Sequence, residues 1–340
     1  MTGRLAGPAF VTGGSGFIGG RLIARLVAEE VPVRALARSS RAADAVAAAG
    51  AEPVAGDLSD PAGLAAGAAG CAVAFHAAAS VEEWGPREAF DTANVQGTAN
   101  VIHACRLAGV GRLVHVGTEA ALMAGQPLVE ADERTPLRPD SPAPYPATKA
   151  RAEALVLAAS GRGLDTVVIR PRLVWGPGDT TILPALAAAV REGQFAWIAG
   201  GRHLTSTAHV DNVVEGLRLG ALRGAPGSAY FVTDGGPVVF RDFVTRLLAT
   251  EGLVPPGRSL PRPLAAAVAA GGEAAWRRLP LPGAPPLTRM AFWLMALEGT
   301  VDCSRARREL GYAPVITREA GLAALADARA ARPGPGDADG

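Results

Sequence analysis

Ala9-Phe10-Val11-Thr12-Gly13-Gly14-Ser15-Gly16-Phe17-Ile18-Gly19-Gly20 reads as a short apolar strand, a glycine turn and the start of a helix. The helix continues with Leu22, Ile23, Leu26 and Val27 on one apolar side. Gly13, Gly16 and Gly19 are spaced G-x-x-G-x-x-G. That spacing lets the backbone turn tightly, approach a pyrophosphate and seat the helix against the strand, with helix N–H groups aimed at the phosphates. In a chain with 42 glycines the spacing alone says little. Its position, after the first strand and at the opening of a helix, gives it meaning.

Outward from this start the chain alternates strand and helix as a doubly wound parallel α/β sheet does. Further strands are expected at 32–37, 52–55, 72–76, 113–116 and 166–169, with a long helix over 90–107 that carries Asn94. Ligands of such sheets bind at the carboxyl ends of the strands, where Asp57, His76, Thr118 and Arg170 fall. The expected organisation is a Rossmann-type domain over 8–175 with a return segment at about 205–233. A smaller lobe over 176–204 and 234–330 follows, rich in Pro, Gly, Ala and Trp, and then a disordered tail at 331–340.

Composition excludes several functions. With 49% hydrophobic and 19% charged residues, 340 residues are ample for a core. A net charge of +1 gives no bulk attraction to nucleic acid or anionic membrane. Arg305, Arg307 and Arg308 read as the solvated face of a short helix with Asp302 as N-cap and Gly311 as stop. Cys71, Cys105 and Cys303 are too scattered for a metal or redox motif, so a reducing compartment and no metal are expected. The apolar runs 264–270 and 291–297 fall far short of the roughly 20 residues of a membrane span. They suit a pocket wall, a lid helix or a dimer face. Without a leader-like h-region the expected location is the cytoplasm.

The remaining signal is a single lysine. Lys149 is the only one in the chain; every other Lys or Arg is arginine. It lies four residues after Tyr145, one of three tyrosines, and i, i+4 partners share a helix face. An ammonium beside a phenol lowers the phenol's pKa from its usual value of about 10, and the planar guanidinium of arginine is no substitute.

These stretches resemble the extended short-chain dehydrogenases/reductases. The resemblance runs through Thr12–Gly19, Gly56-Asp57-Leu58, His76-Ala77-Ala78-Ala79, Asn94-Val95-Gln96-Gly97-Thr98, Val116-Gly117-Thr118, Tyr145-Pro146-Ala147-Thr148-Lys149 and Arg170-Pro171, in that order. The later part, through Arg172-Leu173-Val174-Trp175-Gly176-Pro177-Gly178-Asp179, His209-Val210-Asp211-Asn212 and Tyr230–Asp234, is most similar to the branch of 3β-hydroxysteroid dehydrogenases and dihydroflavonol reductases. The resemblance implies Tyr145 as general acid or base, Lys149 on the nicotinamide ribose and on the phenol's pKa, and Thr118 as a third group holding the substrate oxygen. It also implies a cofactor site built from Gly13, Gly16, Phe17, Ile18, Gly19, Arg38, Asp57, Leu58, His76, Ala77, Ala78, Tyr145, Lys149 and Pro171. Asn94, His209 and Asp211 read as structural, and Glu119 is open between substrate contact and loop acid.

The implied activity is interconversion of a secondary alcohol and a ketone on a small apolar molecule. Two alternatives stand beside it: a nucleotide-sugar epimerase or dehydratase on the same site, and a non-catalytic redox sensor. The resemblance carries homodimers as a family expectation. NADP(H) is expected in preference to NAD(H), which remains possible, because Ala37 stands where NAD-specific folds place an acid. Arg38 follows with Ser39 and Ser40, a set suited to a 2′-phosphate and with no carboxylate expected nearby.

Overall fold

A computed structural model describes residues 3–279 and 281–331; most of the expected tail, 332–340, lies outside the described residues. In chain order the strands are Ala9–Thr12 (β1), Val33–Ala37 (β2), Glu52–Ala55 (β3), Val73–His76 (β4), Arg112–Val116 (β5), Leu128–Ala131 (β6), Asp165–Pro171 (β7) and Val174–Trp175 (β8). Trp197–Ile198 (β9), Leu204–Thr205 (β10), Ala208–His209 (β11), Ser228–Val232 (β12), Val238–Val239 (β13), Ser259–Leu260 (β14) and Gly299–Val301 (β15) follow. The helices are Phe17–Ala28 (α1), Ser40–Ala48 (α2), Pro61–Ala68 (α3), Arg87–Phe90 (α4), Gly97–Leu107 (α5), Pro144–Ala158 (α6) and Ile182–Arg191 (α7). Val210–Arg223 (α8), Phe240–Ala249 (α9), Arg262–Arg278 (α10), Arg289–Ala296 (α11) and Arg318–Ala330 (α12) complete the set.

Seven strands form one parallel sheet in the order β12-β7-β5-β4-β1-β2-β3. β1 and β4 are buried along their whole length, as strands covered by helices on both faces must be. One apolar cluster joins Val11, Phe75 and Ile169 to Leu22 and Leu26 of α1 and Leu217 of α8. A second joins Phe10 and Leu113 to Leu64, Val101 and Val156 from the opposite layer. Strand order reverses between β1 and β4, so the crevice for a ligand opens at the ends of these two strands.

The structure adds features that the sequence patterns did not reveal. β12 is the seventh strand of the sheet, built from the return segment. A separate four-stranded sheet has the order β13-β10-β15-β6. Its strands are two to four residues long, too short for alternation to register. The expected helix over 90–107 is broken by a π-helical stretch, Asp91–Gln96, between α4 and α5. Arg305 departs from the expected solvated face: its guanidinium lies 4.9 Å above the Tyr230 ring and donates to Ser228 Oγ at 2.9 Å, while Arg307 and Arg308 are exposed. Gly311 adopts a left-handed φ of 68°, so the turn stops where the sequence suggested, whereas its N-cap is Arg305 and not Asp302, whose Oδ1 accepts from Ser304 N just ahead of it. The turn winds as a π-helix.

Among the described residues no helix is long and apolar enough to cross a membrane. All three cysteines are buried and unbridged.

Candidate active site

The turn after β1 is shaped by what its glycines exclude. Gly13 has a φ of +75°, and a Cβ there would sit 2.5 Å from the Ala78 backbone nitrogen. A Cβ on Gly19 would lie 2.1 Å from the Gly13 carbonyl oxygen. Only hydrogen fits at either place. Helix α1 then starts with Gly16 as N-cap, with no capping side chain and no acid in its first turn. The amides of Phe17, Ile18 and Gly19 therefore face the crevice with no side-chain acceptor, a fit for a dinucleotide pyrophosphate.

Beside this cradle, Ala77 N bonds Thr12 O at 3.1 Å and the Ala77–Ala78 backbone closes over Gly13. The side chain of His76 is taken up within the protein. Its imidazole is clamped between Thr12 Oγ1 (2.7 Å) and Thr98 Oγ1 (2.9 Å), and burial, helped by Lys149, drops its pKa to about 3. It stays neutral and tethers two layers.

At the β2 edge, Arg38 is exposed and Ser39 caps α2 by accepting from Ala42 N at 3.2 Å, which leaves its own hydroxyl proton free to donate. Asp57 is a correction to the expectation that no carboxylate lies near. A backbone hydrogen bond from Ser59 chiefly lowers its pKa, and the Arg38 charge adds to the effect. Leu58 packs toward Gly97, and its carbonyl accepts from Asn100 Nδ2 at 2.7 Å.

On the other flank, Thr118 lies two residues beyond β5 and Tyr145 and Lys149 project from α6, while Pro171 is the buried last residue of β7. Pro144 at the first helical position suits the start of α6, and the i, i+4 spacing sets the phenol and ammonium one turn apart. Lys149 Nζ donates to Val116 O at 2.8 Å and lies 3.4 Å from His115 Nε2. Burial lowers its pKa to about 8 against the opposing charge of Glu153.

The phenol of Tyr145 is pushed upward, chiefly by burial and then by the charge of Glu119, with Thr118 pulling the other way. Among charged neighbours, Glu119 is the one that adds to the effect of burial on the phenol. Asn94 Oδ1 accepts from Ser80 N at 2.7 Å, and its Nδ2 donates to Ser80 O and Thr148 Oγ1, each at 3.1 Å. It therefore ties the segment after β4 to α6, a structural role as expected. Asp211 pairs with Arg21, and His209 Nδ1 accepts from Asp211 N at 3.2 Å.

A model of the 3-beta hydroxysteroid dehydrogenase/isomerase family matches residues 10–262. The chain belongs to this family. Membership in the 3-beta hydroxysteroid dehydrogenase/isomerase family makes it an oxidoreductase of the extended short-chain dehydrogenase/reductase type. It is 49% identical over 319 residues to a 4-hydroxy-2-methyl-3-oxo-4-farnesyl-3,4-dihydroquinoline-1-oxide ketoreductase of Stigmatella aurantiaca, covering 94% of this chain and 96% of that one. A 2-alkyl-3-oxoalkanoate reductase of Stenotrophomonas maltophilia is 38% identical over 94% of this chain and 99% of its own length. Among solved structures, a double mutant of the dTDP-glucose 4,6-dehydratase DesIV from Streptomyces venezuelae, with NAD bound, superposes with a TM-score of 0.74. It is 25% identical and covers 94% of this chain and 95% of that one.

Two buried ion pairs beside this family member's site escaped the sequence reading. Glu119 Oε1 meets Arg172 Nη1 at 2.8 Å, and Glu153 pairs with Arg170 beneath α6. The signal was Arg170-Pro171-Arg172 at the end of a buried strand, since two guanidiniums there require carboxylate partners.

Proposed function

We propose that this chain interconverts a secondary alcohol and a ketone on an apolar small molecule with a nicotinamide dinucleotide, and that Tyr145 carries the proton. One observation bears most of this reading. Tyr145 packs at the edge of an apolar cluster that includes Leu122, Met123, Met290, Phe292, Trp293 and Ala296. The phenol thus sits against hydrocarbon. The relatives act, by their names, on a farnesylated quinoline oxide and on an alkyl-branched oxo acid, which supports an apolar frame. Residues 176–204 and 234–330 supply α10, α11 and most of the second sheet, and are read as the substrate-binding lobe.

In the cradle, the amides of Phe17, Ile18 and Gly19 would hold the pyrophosphate and Lys149 a ribose hydroxyl. When bound, the nicotinamide supplies or takes the hydride at the substrate carbon. Thr118 and Tyr145 hold the substrate oxygen, and Tyr145 gives or takes its proton. Arg38, with Ser39, favours NADP(H) over NAD(H).

The test is oxidation of NADPH and NADH with bulky apolar ketones, in the protein and its Tyr145→Phe variant. Turnover should fall by about 10² to 10⁴ in the variant with dinucleotide affinity kept. Near wild-type turnover by the variant, or tight binding of sugar nucleotides and of no apolar ketone, sinks this reading.

A further inference from the structure

The buried pair of Glu119 and Arg172 lies where the catalytic loop, the end of the main sheet and the second sheet converge. Arg172 follows β7 and is 1% exposed; Glu119 follows Thr118 and is 3% exposed. The guanidinium donates from Nη1 to Glu119 Oε1 at 2.8 Å and from Nε to Thr205 Oγ1 at 3.2 Å. Glu119 Oε2 accepts the Thr118 hydroxyl at 2.9 Å, and that same hydroxyl oxygen accepts from Ala120 N at 3.1 Å. The carboxylate thus reaches the catalytic loop through the Thr118 hydroxyl. A buried pair of this kind is weak evidence for stability, because desolvation offsets most of its attraction. A role in the chemistry is the better account of its position.

We infer that Glu119, clamped by Arg172, is a positioning residue that keeps Tyr145 in its proton-donating form and so poises the site for carbonyl reduction. The inference rests on Tyr145 being the proton carrier. Tyr145 packs against Ala120 and Leu122, which follow Glu119 in the chain, and the negative charge of Glu119 disfavours phenolate, opposing the pull of Thr118. In the reductive direction the phenol proton passes to the carbonyl oxygen as the carbonyl carbon receives the hydride. The phenolate recovers its proton from solvent. The pair leaves the overall equilibrium untouched; it sets the protonation state in which the site waits.

The experiment is an ultraviolet tyrosinate titration of the protein, Glu119→Gln and Glu119→Gln/Arg172→Met, each read against its Tyr145→Phe counterpart. With only three tyrosines the Tyr145 difference is resolvable without turnover. Glu119→Gln should move the Tyr145 midpoint down by about one pH unit, since the carboxylate goes while the guanidinium stays. The double variant removes both charges, so it tests the same point in a chain without an unpaired buried cation, and its midpoint should fall by less. The alkaline limb of kcat/KM for ketone reduction should shift with the midpoint. Unmoved midpoints in both variants, with only a loss of thermal stability, would overturn the inference and leave a structural clamp. Full activity in Tyr145→Phe would instead remove the reading of Tyr145 itself.

Discussion

Burial pushes Tyr145 and Lys149 toward their uncharged forms: it raises the phenol and lowers the ammonium to about 8. For Lys149 this is a statement about stability. Its folded pKa lies below the ordinary 10.5, so between these values the unfolded chain binds more protons and stability rises with pH. Relative to Lys149→Met, the protein should gain about 3 kcal/mol between pH 8 and pH 10.5, with the penalty for the buried charge fully present below pH 8. Urea midpoints of both proteins across that range would show it; parallel curves would mean that the ammonium is not buried as described. At the end of β2, Arg38→Ala should cost NADP(H) roughly ten- to a hundredfold in affinity and leave NAD(H) nearly unchanged, one charge-assisted hydrogen bond being worth about 1.5–3 kcal/mol. Equal losses for both would assign Arg38 to solvent. Asp57 beside it makes a further demand: Asp57→Asn should tighten NADP(H), because a carboxylate near a 2′-phosphate repels it.

At the scale of elements, the junction of β1 and α1 depends on close approach. Gly19→Ala would bring a methyl 2.1 Å from the Gly13 carbonyl, backbone against side chain with nothing flexible to yield. The turn must open, so dinucleotide affinity should drop at least about tenfold, read by nicotinamide fluorescence, with the far-ultraviolet circular dichroism unchanged. Unaltered affinity would mean that the turn tolerates rearrangement. This junction was legible in the sequence because glycine spacing and apolar periodicity agree there, as they do for β2, β3, β4, β5 and β7. Tyr145 with Lys149 was legible because a lone lysine stands out. The second sheet was not, since its two- to four-residue strands carry no period. The π-helical stretch was hidden because it comes from contacts far along the chain: the Asn94 side chain reaches back to Ser80 and across to Thr148. Its own carbonyl accepts from Thr98 Oγ1 at 2.6 Å. The burial and pairing of Glu119 were hidden for the same reason, since Arg172 meets it from 53 positions away.

Across the whole molecule, Arg172 is one place where the two sheets meet, beside the apolar contact of Phe231 with Leu128 and Ala131. Gly299 in β15 pairs with Thr205 in β10, and a Cβ on Gly299 would fall 1.8 Å from Arg172 Nη2 and 2.0 Å from its Cζ. The second sheet therefore keeps a glycine where the guanidinium of the main sheet must lie. Gly299→Ala should displace Arg172 and leave Glu119 as an unpaired buried carboxylate, a change that typically costs about 3–5 kcal/mol. Urea unfolding should show a loss of that size. The glycine cradle is built from other strands, so dinucleotide binding should survive in the fraction that remains folded. Shortening the partner distinguishes this cause from general crowding in β15. Combining Gly299→Ala with Arg172→Met and Glu119→Gln removes the displaced cation and the stranded carboxylate together, and should recover more than half of the lost stability. Recovery follows only if the cost arises at the ion pair; a triple variant as unstable as Gly299→Ala alone would place the strain in the strand and uncouple the two sheets.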